Sequence, residues 1–186
     1  LVCEGQQADM DFASKNDITE NEYFEMIKNK TAVLIGCSFM FGGIVAEAND
    51  LNTNLLYEIG LNLGIAFQLE DDLLDCFGDQ EKFGKKIGGD IIEKKKTLLY
   101  LFTNLKLESE KKLEFENIFN SNEIAESEKI NSIKLFYETS GALKYVKNKV
   151  KVYFDKVDQL INKLELDNDT KRKLNQFSKT LLNREI

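Results

Sequence analysis

The sequence predicts an all-α fold, and three observations carry the prediction. The 186 residues contain no proline and only 11 glycines, so obligatory helix breaks are few. No stretch alternates apolar and polar residues with a period of two, whereas apolar residues recur at helical spacing along most of the chain. No internal repeat of the length that builds a solenoid is present. The length fits a single domain over residues 1–186, large enough for a substantial core.

The elements follow in order. "LVCEGQQADMDF" (Leu1 to Phe12) suits the end of a helix, and "ASKND" is a polar connection. Thr19 and Glu22 have the spacing of a capping box, so a second helix is expected from there to about Ala48, apolar through Met26, Ile27, Leu34 and Phe39. "NDLNTN" (Asn49 to Asn54) reads as a turn with a new cap. A long helix then covers Leu55 to Phe77, apolar on most faces until four carboxylates arrive. Gly78 to Gly89 is the one glycine-rich loop, and "KKKTLLYLFTNL" resumes helix. From Leu107 to Ile186 three or four amphipathic helices are expected, with breaks near Ser121-Asn122, Ser140-Gly141 and Asp167-Asn168.

The abrupt start at Leu1, already helical in character, suggests a piece of a longer protein. No basic segment precedes an apolar run, so no signal peptide is read. The longest apolar stretch, Thr31 to Ala46, is shorter than the roughly 20 residues of a membrane span, and no transmembrane segment is expected.

Composition excludes several functions. With 25 basic and 32 acidic residues the formal net charge is -7, which argues against nucleic-acid binding through phosphate neutralisation. Cys3, Cys37 and Cys76 are odd in number and far apart, fitting neither a disulfide framework nor a zinc site; a reducing, cytoplasmic setting is expected. The absence of histidine removes Ser-His and Cys-His catalysis. Any metal must be held by oxygen, which points to Mg²⁺ or Ca²⁺.

The chemistry concentrates in "GIAFQLEDDLLDCFGDQEKFGKKIGGD" (Gly64 to Asp90). On a helix, Gln68, Asp71, Asp72 and Asp75 lie on neighbouring rows of one side, with Asp71 and Asp75 one turn apart. A solvated acidic face is the plain alternative. Against it, like charges at i,i+4 cost roughly 0.2–0.5 kcal/mol per pair, the carboxylates sit where the helix dipole opposes them, and their flanks are apolar. A calcium loop fails on count, because position six from Asp71 is Cys76 and position twelve is Lys82. The loop adds Lys85 and Lys86 directly after Gly84 and ends at Asp90. Lysine suits phosphate as a point charge and glycine lets backbone approach a ligand. A Walker A loop is ruled out, since Gly84-Lys85 is followed by Lys86. Acid, glycine loop and base in succession suggest a metal-bridged diphosphate.

Together, "FQLEDDLLD", "GD", "GKKIGGD" and "KKT" resemble the second aspartate-rich region of the trans-isoprenyl diphosphate synthases, the farnesyl, geranylgeranyl and longer polyprenyl synthase family. "GQQAD" (Gly5 to Asp9) resembles the family's G-Q-x-x-D, and "KNKTA" (Lys28 to Ala32) its K-T element. The resemblance covers residues 1–105 closely and 106–186, the C-terminal helices, only loosely. It implies a bundle of long antiparallel helices around a central cavity, with the N-terminal helices missing from this sequence.

The resemblance also implies roles. Asp71 is the principal metal ligand on its helix, with Asp72 and Asp75 beside it and Asp9 facing the metals from another helix, supported by Gln6. Lys30 and Lys85 hold the allylic diphosphate, with Asp90 and Lys95 supporting the loop. Thr31 and Gln68 turn oxygen dipoles toward a developing allylic cation, and Phe67 lies near the homoallylic substrate. The implied reaction is head-to-tail 1′–4 condensation of isopentenyl diphosphate with an allylic prenyl diphosphate, using up to three Mg²⁺ ions, or Mn²⁺, in a homodimer.

The family carries two aspartate-rich motifs; this sequence has one, Asp71 to Asp75. The first is expected upstream of Leu1, so the isolated 186 residues are expected to be catalytically incomplete. A non-catalytic partner subunit of a prenyl synthase is a second reading. A terpene cyclase is a third, disfavoured by D-D-x-x-D where that class carries an Asn/Ser/Glu pattern.

Overall fold

A computed structural model describes residues 1–15, 17–79 and 87–182. Among them the regular structure is entirely helical. The helices are α1 (Val2–Phe12), α2 (Glu20–Ile27), α3 (Val33–Val45), α4 (Asp50–Phe77), α5 (Gly89–Ile92), α6 (Leu98–Lys106), α7 (Ser109–Asn120), α8 (Glu126–Thr139), α9 (Ala142–Lys163) and α10 (Asn168–Leu182). No helix among the described residues is long and apolar enough to cross a membrane.

Three boundaries differ from the sequence reading, the simplest being that helix resumes at Leu98 and not at Lys94, whose φ of 57° is left-handed. The expected helix from Thr19 to about Ala48 is divided: a π-helical turn over Lys28–Ala32 joins α2 to α3, and α3 ends at Val45. The Thr19–Glu22 box forms as expected, with the Thr19 N–H donating to Glu22 at 2.8 Å and the Glu22 N–H to Thr19 Oγ1 at 3.2 Å. Helix α4 starts at Asp50 instead of Leu55, because Asn49 caps it by accepting the Asn52 N–H at 2.8 Å. The asparagines and threonine that read as a turn therefore lie in its first turns. The three breaks near residues 121, 140 and 167 fall where expected. Gly141 takes a left-handed φ of 83° after α8, where glycine is favoured, and Asp167 caps α10 through the N–H groups of Asp169 and Thr170.

The chain forms two compact units. The first gathers Leu1–Asp9, Phe24–Glu70 and residues 149–182. Its core is made of two matched stripes, Ile59, Leu63 and Ala66 on α4 and Val157 and Ile161 on α9 with Leu164 directly after it, and Phe39 and Leu174 pack against them. Both stripes run i, i+4, i+7, the apolar spacing of a buried helix face. Helices α3 and α4 meet backbone to backbone. A Cβ added to Gly60 would lie 2.7 Å from Gly36 Cα, and one added to Gly64 would lie 2.5 Å from Ala32 Cα. Gly60 and Gly64 on α4, facing Gly36 of α3 and Ala32 of the π turn, make that approach possible. Part of α3 is apolar surface, with Leu34, Phe41 and Val45 exposed.

The second unit gathers Met10–Tyr23 and Asp71–Asn148. Its centre is aromatic: Tyr100 stands 4.4 Å from Phe119 and 5.3 Å from Phe115 between ring centroids, and Phe136 meets Phe115 edge-on at 5.4 Å. Phe115 and Phe119 are wholly buried, so these rings supply much of the apolar burial that holds α6, α7 and α8 together.

Candidate active site

In the first unit the polar residues gather on the π turn. Its wider coil, closed by the Val33 N–H donating to the Lys28 carbonyl five residues back, displaces Lys30 and Thr31 from the register of α2. Such turns recur at functional positions. Lys30 Nζ donates to Asp9 Oδ2 at 2.6 Å, and Thr31 Oγ1 donates to Gln68 Oε1 at 2.8 Å. Gly5, one helical turn before Asp9, makes the first contact possible: a Cβ there would stand 2.2 Å from the Lys30 backbone nitrogen. Gln6 is exposed beside it, and Phe67 is half-buried against the α4–α9 core.

In the second unit Asp71, Asp72 and Asp75 have different surroundings. Asp72 is buried and accepts a hydrogen bond of 2.5 Å from the hydroxyl of Tyr23, itself almost wholly buried. Asp75 is tied to the end of the glycine-rich loop. Its carboxylate accepts the Asp90 N–H at 2.9 Å and its carbonyl accepts the Gly88 N–H at 2.6 Å. Gly89 leaves room for this, since a Cβ there would meet Asp75 Oδ1 at 3.0 Å. Burial first, then the charges of Asp90 and Asp71, push the Asp75 carboxyl up to about 6, against the pull of the Asp90 N–H and Lys95. Asp71 is partly buried.

The three lysines after the loop have three separate tasks. Lys94 donates to the Asn120 carbonyl and the Asn122 side chain, both at 2.7 Å. Lys95 pairs with Asp90 at 2.8 Å and Glu93 at 3.0 Å. Burial pulls the Lys95 ammonium down, but these two carboxylates outweigh it and hold it above the ordinary lysine range. Lys96 donates to the Lys15 carbonyl at 2.5 Å. Lys95, Asp90 and Asp75 thus form one chain of contacts, in which Lys95 supports the loop end through Asp90. Burial raises the Cys76 thiol to about 12, which excludes it as a nucleophile at neutral pH.

Of the residues predicted from sequence, the structure pairs Lys30 with Asp9, Thr31 with Gln68, and Asp75 with Asp90 and Lys95. Lys85 and Lys86 lie outside the described residues. Two residues escaped sequence reasoning. Gly5 was quoted as the first residue of the G-Q-x-x-D element but given no role, although a glycine lets backbone approach closely. Tyr23 gave no signal, because a tyrosine inside an amphipathic helix looks like any core residue.

Among the described residues, no three Asp, Glu or Cys side chains are arranged to hold a metal ion by themselves. The donor chemistry nonetheless fits Mg²⁺ in one particular manner. Every candidate donor is an oxygen, and Mg²⁺ characteristically takes one or two carboxylates and completes its shell with water and substrate phosphate. Asp71 and Asp75 within the second unit, and Asp9 within the first, each offer a partly buried carboxylate of that kind. Asp72 differs from them in being buried and bonded to Tyr23.

A family model for polyprenyl synthetases matches residues 1–136. The chain is 38% identical over 174 residues to the geranylgeranyl diphosphate synthase of Saccharolobus solfataricus, an alignment covering 93% of this chain and 52% of that enzyme. A solved geranylgeranyl pyrophosphate synthase superposes with a TM-score of 0.91 at 41% identity, covering all of this chain and 57% of the other. The polyprenyl synthase of Caulobacter crescentus, solved with calcium and isoprenyl diphosphate, superposes with a TM-score of 0.88 at 28% identity over 100% of this chain and 56% of that one. The chain spans about half the length of the curated relatives it matches. It belongs to the polyprenyl synthetase family.

Proposed function

We propose that the protein acts as a trans-prenyltransferase, joining isopentenyl diphosphate to an allylic prenyl diphosphate by 1′–4 condensation. The observation that carries this reading is the π turn, which puts Lys30 and Thr31 within hydrogen-bonding reach of Asp9 and Gln68. A phosphate-binding cation is thereby held at a metal-binding carboxylate, next to a pair of neutral oxygen dipoles.

Lys30, and Lys85 by its place in the motif, donate to the oxygens of the allylic diphosphate and stabilise the charge that grows on it as the C–O bond breaks. Asp71, Asp75 and Asp9 are the residues that would hold Mg²⁺, which when bound neutralises the same leaving group. Thr31 donates its hydroxyl hydrogen to Gln68, so its own oxygen lone pairs remain directed outward toward a developing allylic cation. Phe67 offers an apolar wall beside the homoallylic substrate. Lys95 acts through Asp90 on Asp75 instead of touching diphosphate. A homodimer in the cytoplasm is proposed with this function, and the exposed apolar side of α3 is surface suited to subunit contact.

The test is a Mg²⁺-dependent assay of the complete natural protein with labelled isopentenyl diphosphate and a series of allylic diphosphates. Extended prenyl product that disappears in Asp71→Ala supports the reading. Hydrocarbon released from an allylic diphosphate alone would replace it with a cyclase. The chain carries one D-D-x-x-D where the family has two, and spans half of its relatives. The isolated 186 residues are therefore expected to give no turnover. A complete protein that is inactive alone, yet shifts the product length of an added synthase, would favour a partner subunit.

A further inference from the structure

Lys30 and Asp9, assigned above to a phosphate and to a metal ion, hold each other. Their contact of 2.6 Å joins two helices across 21 residues of sequence. Neither end can drift, because Gly5 sets α1 directly against the backbone of the π turn. Neither is sealed either: the side chains are 28% and 19% exposed, so a ligand from solvent reaches both.

We propose that this pair is an exchangeable stand-in for the ligands of the site. Asp9 occupies on Lys30 the position a phosphate oxygen takes, and Lys30 occupies on Asp9 the position a divalent cation takes. The inference rests on the assignment of these two residues made under the proposed function. A diphosphate arriving alone strips Lys30 from Asp9 and leaves a part-buried carboxylate without its counter-charge. A cation arriving alone does the same to the ammonium. Breaking one side of such a pair is the costly event. When both ligands arrive, one ion pair is exchanged for two and no charge is left over. Diphosphate and metal therefore reinforce each other through the protein, beyond their affinity for one another in solution, and the coupling is reciprocal.

The experiment is calorimetric titration of the complete natural protein with inorganic pyrophosphate, in EDTA and in saturating Mg²⁺, for wild type and Asp9→Asn. In EDTA the variant should bind pyrophosphate roughly three- to tenfold more tightly, the worth of a part-buried charged hydrogen bond that no longer competes. Its gain in affinity on adding Mg²⁺ should be smaller than wild type's by at least that factor. A variant that binds within twofold of wild type in EDTA, or more weakly, overturns the exchange. Asp9→Ser, which removes the charge with a smaller side chain, should repeat the result. Failure of both variants to fold would also count against the proposal, since an exchangeable pair is not a fixture of the fold. Wild type that shows no Mg²⁺-dependent pyrophosphate binding removes the site assignment, and the exchange falls with it.

Discussion

Replacing Gly5 with alanine tests whether the approach of α1 to the π turn organises the site. On helix propensity alone the change should stabilise the protein by about 1 kcal/mol. The structure predicts the opposite. The new Cβ would stand 2.2 Å from the Lys30 nitrogen and 2.7 Å from both the Asn29 carbonyl carbon and the Lys30 Cα. All three are backbone atoms, so no side chain can rotate away. Restoring ordinary contact at about 3.5 Å moves α1 outward by about 1 Å or more. Asp9 lies one turn along the same face, so a like displacement carries its carboxylate out of reach of Lys30, now 2.6 Å away. Overpacking costs about 1–3 kcal/mol and the weakened ion pair up to about 1 kcal/mol, which together exceed the propensity gain. A net loss of about 1–3 kcal/mol lowers Tm by roughly 2–4 °C per kcal/mol in a chain of this length. Circular-dichroism melts would read the loss, and pyrophosphate titration would read the damage to the site. A Gly5→Ala protein that melts at or above wild type and binds pyrophosphate equally well would show that the close approach of α1 does not organise the site.

Three further outcomes are expected. Tyr23→Phe leaves the buried Asp72 carboxylate without its 2.5 Å donor; the loss should be about 1.5–3 kcal/mol in urea unfolding, and a change under 0.5 kcal/mol would mean the bond is dispensable. Phe119→Ala empties the aromatic centre of the second unit and should cost about 3–5 kcal/mol, seen as a lower denaturant midpoint; a midpoint unmoved from wild type would deny the ring its place in the core. Glu22 is held down to about 2 by its contact with Lys15 and its bonds to Thr19, so its contribution to stability is present above about pH 4.5 and is lost as pH falls through about 2. Wild type and Glu22→Gln should therefore differ in Tm at pH 6 and converge near pH 2, whereas a constant difference would show that the charge is irrelevant.

The helices and their breaks were legible because the signals were local. Thr19 and Glu22 cap as their spacing requires, and Gly141 and Asp167 mark ends that need no knowledge of the rest of the chain. Asn49 shows the limit: a run of Asn and Thr reads as a turn, yet a single cap before it is enough to draw the run into α4. The acidic motif was legible as a set, but its members were not separable. Helical spacing placed Asp71 and Asp72 on one side, whereas the about 100° between consecutive residues, together with Tyr23 arriving from 49 positions away, turns Asp72 inward. The π turn left no trace either, since "KNKTA" has the composition of an ordinary helix, and only its contact with Gly5 explains the glycine.

That turn also bears on how the chain tolerates insertions and deletions. A π turn holds one residue more than the α-helical turn it replaces. Deleting a single residue there, Asn29 for example, would let α2 and α3 merge into one regular helix, with no proline and no missing hydrogen bond to oppose it. The price would be paid in rotation: everything on one side of the deletion would swing by about 100° relative to the other. Either Lys30 and Thr31 would leave Asp9 and Gln68, or Gly36 would turn away from Gly60. A one-codon deletion here would give a chain that still folds into helices and reads as healthy by circular dichroism, yet has lost its site. Length at these five residues is thus under tighter constraint than most of their side chains.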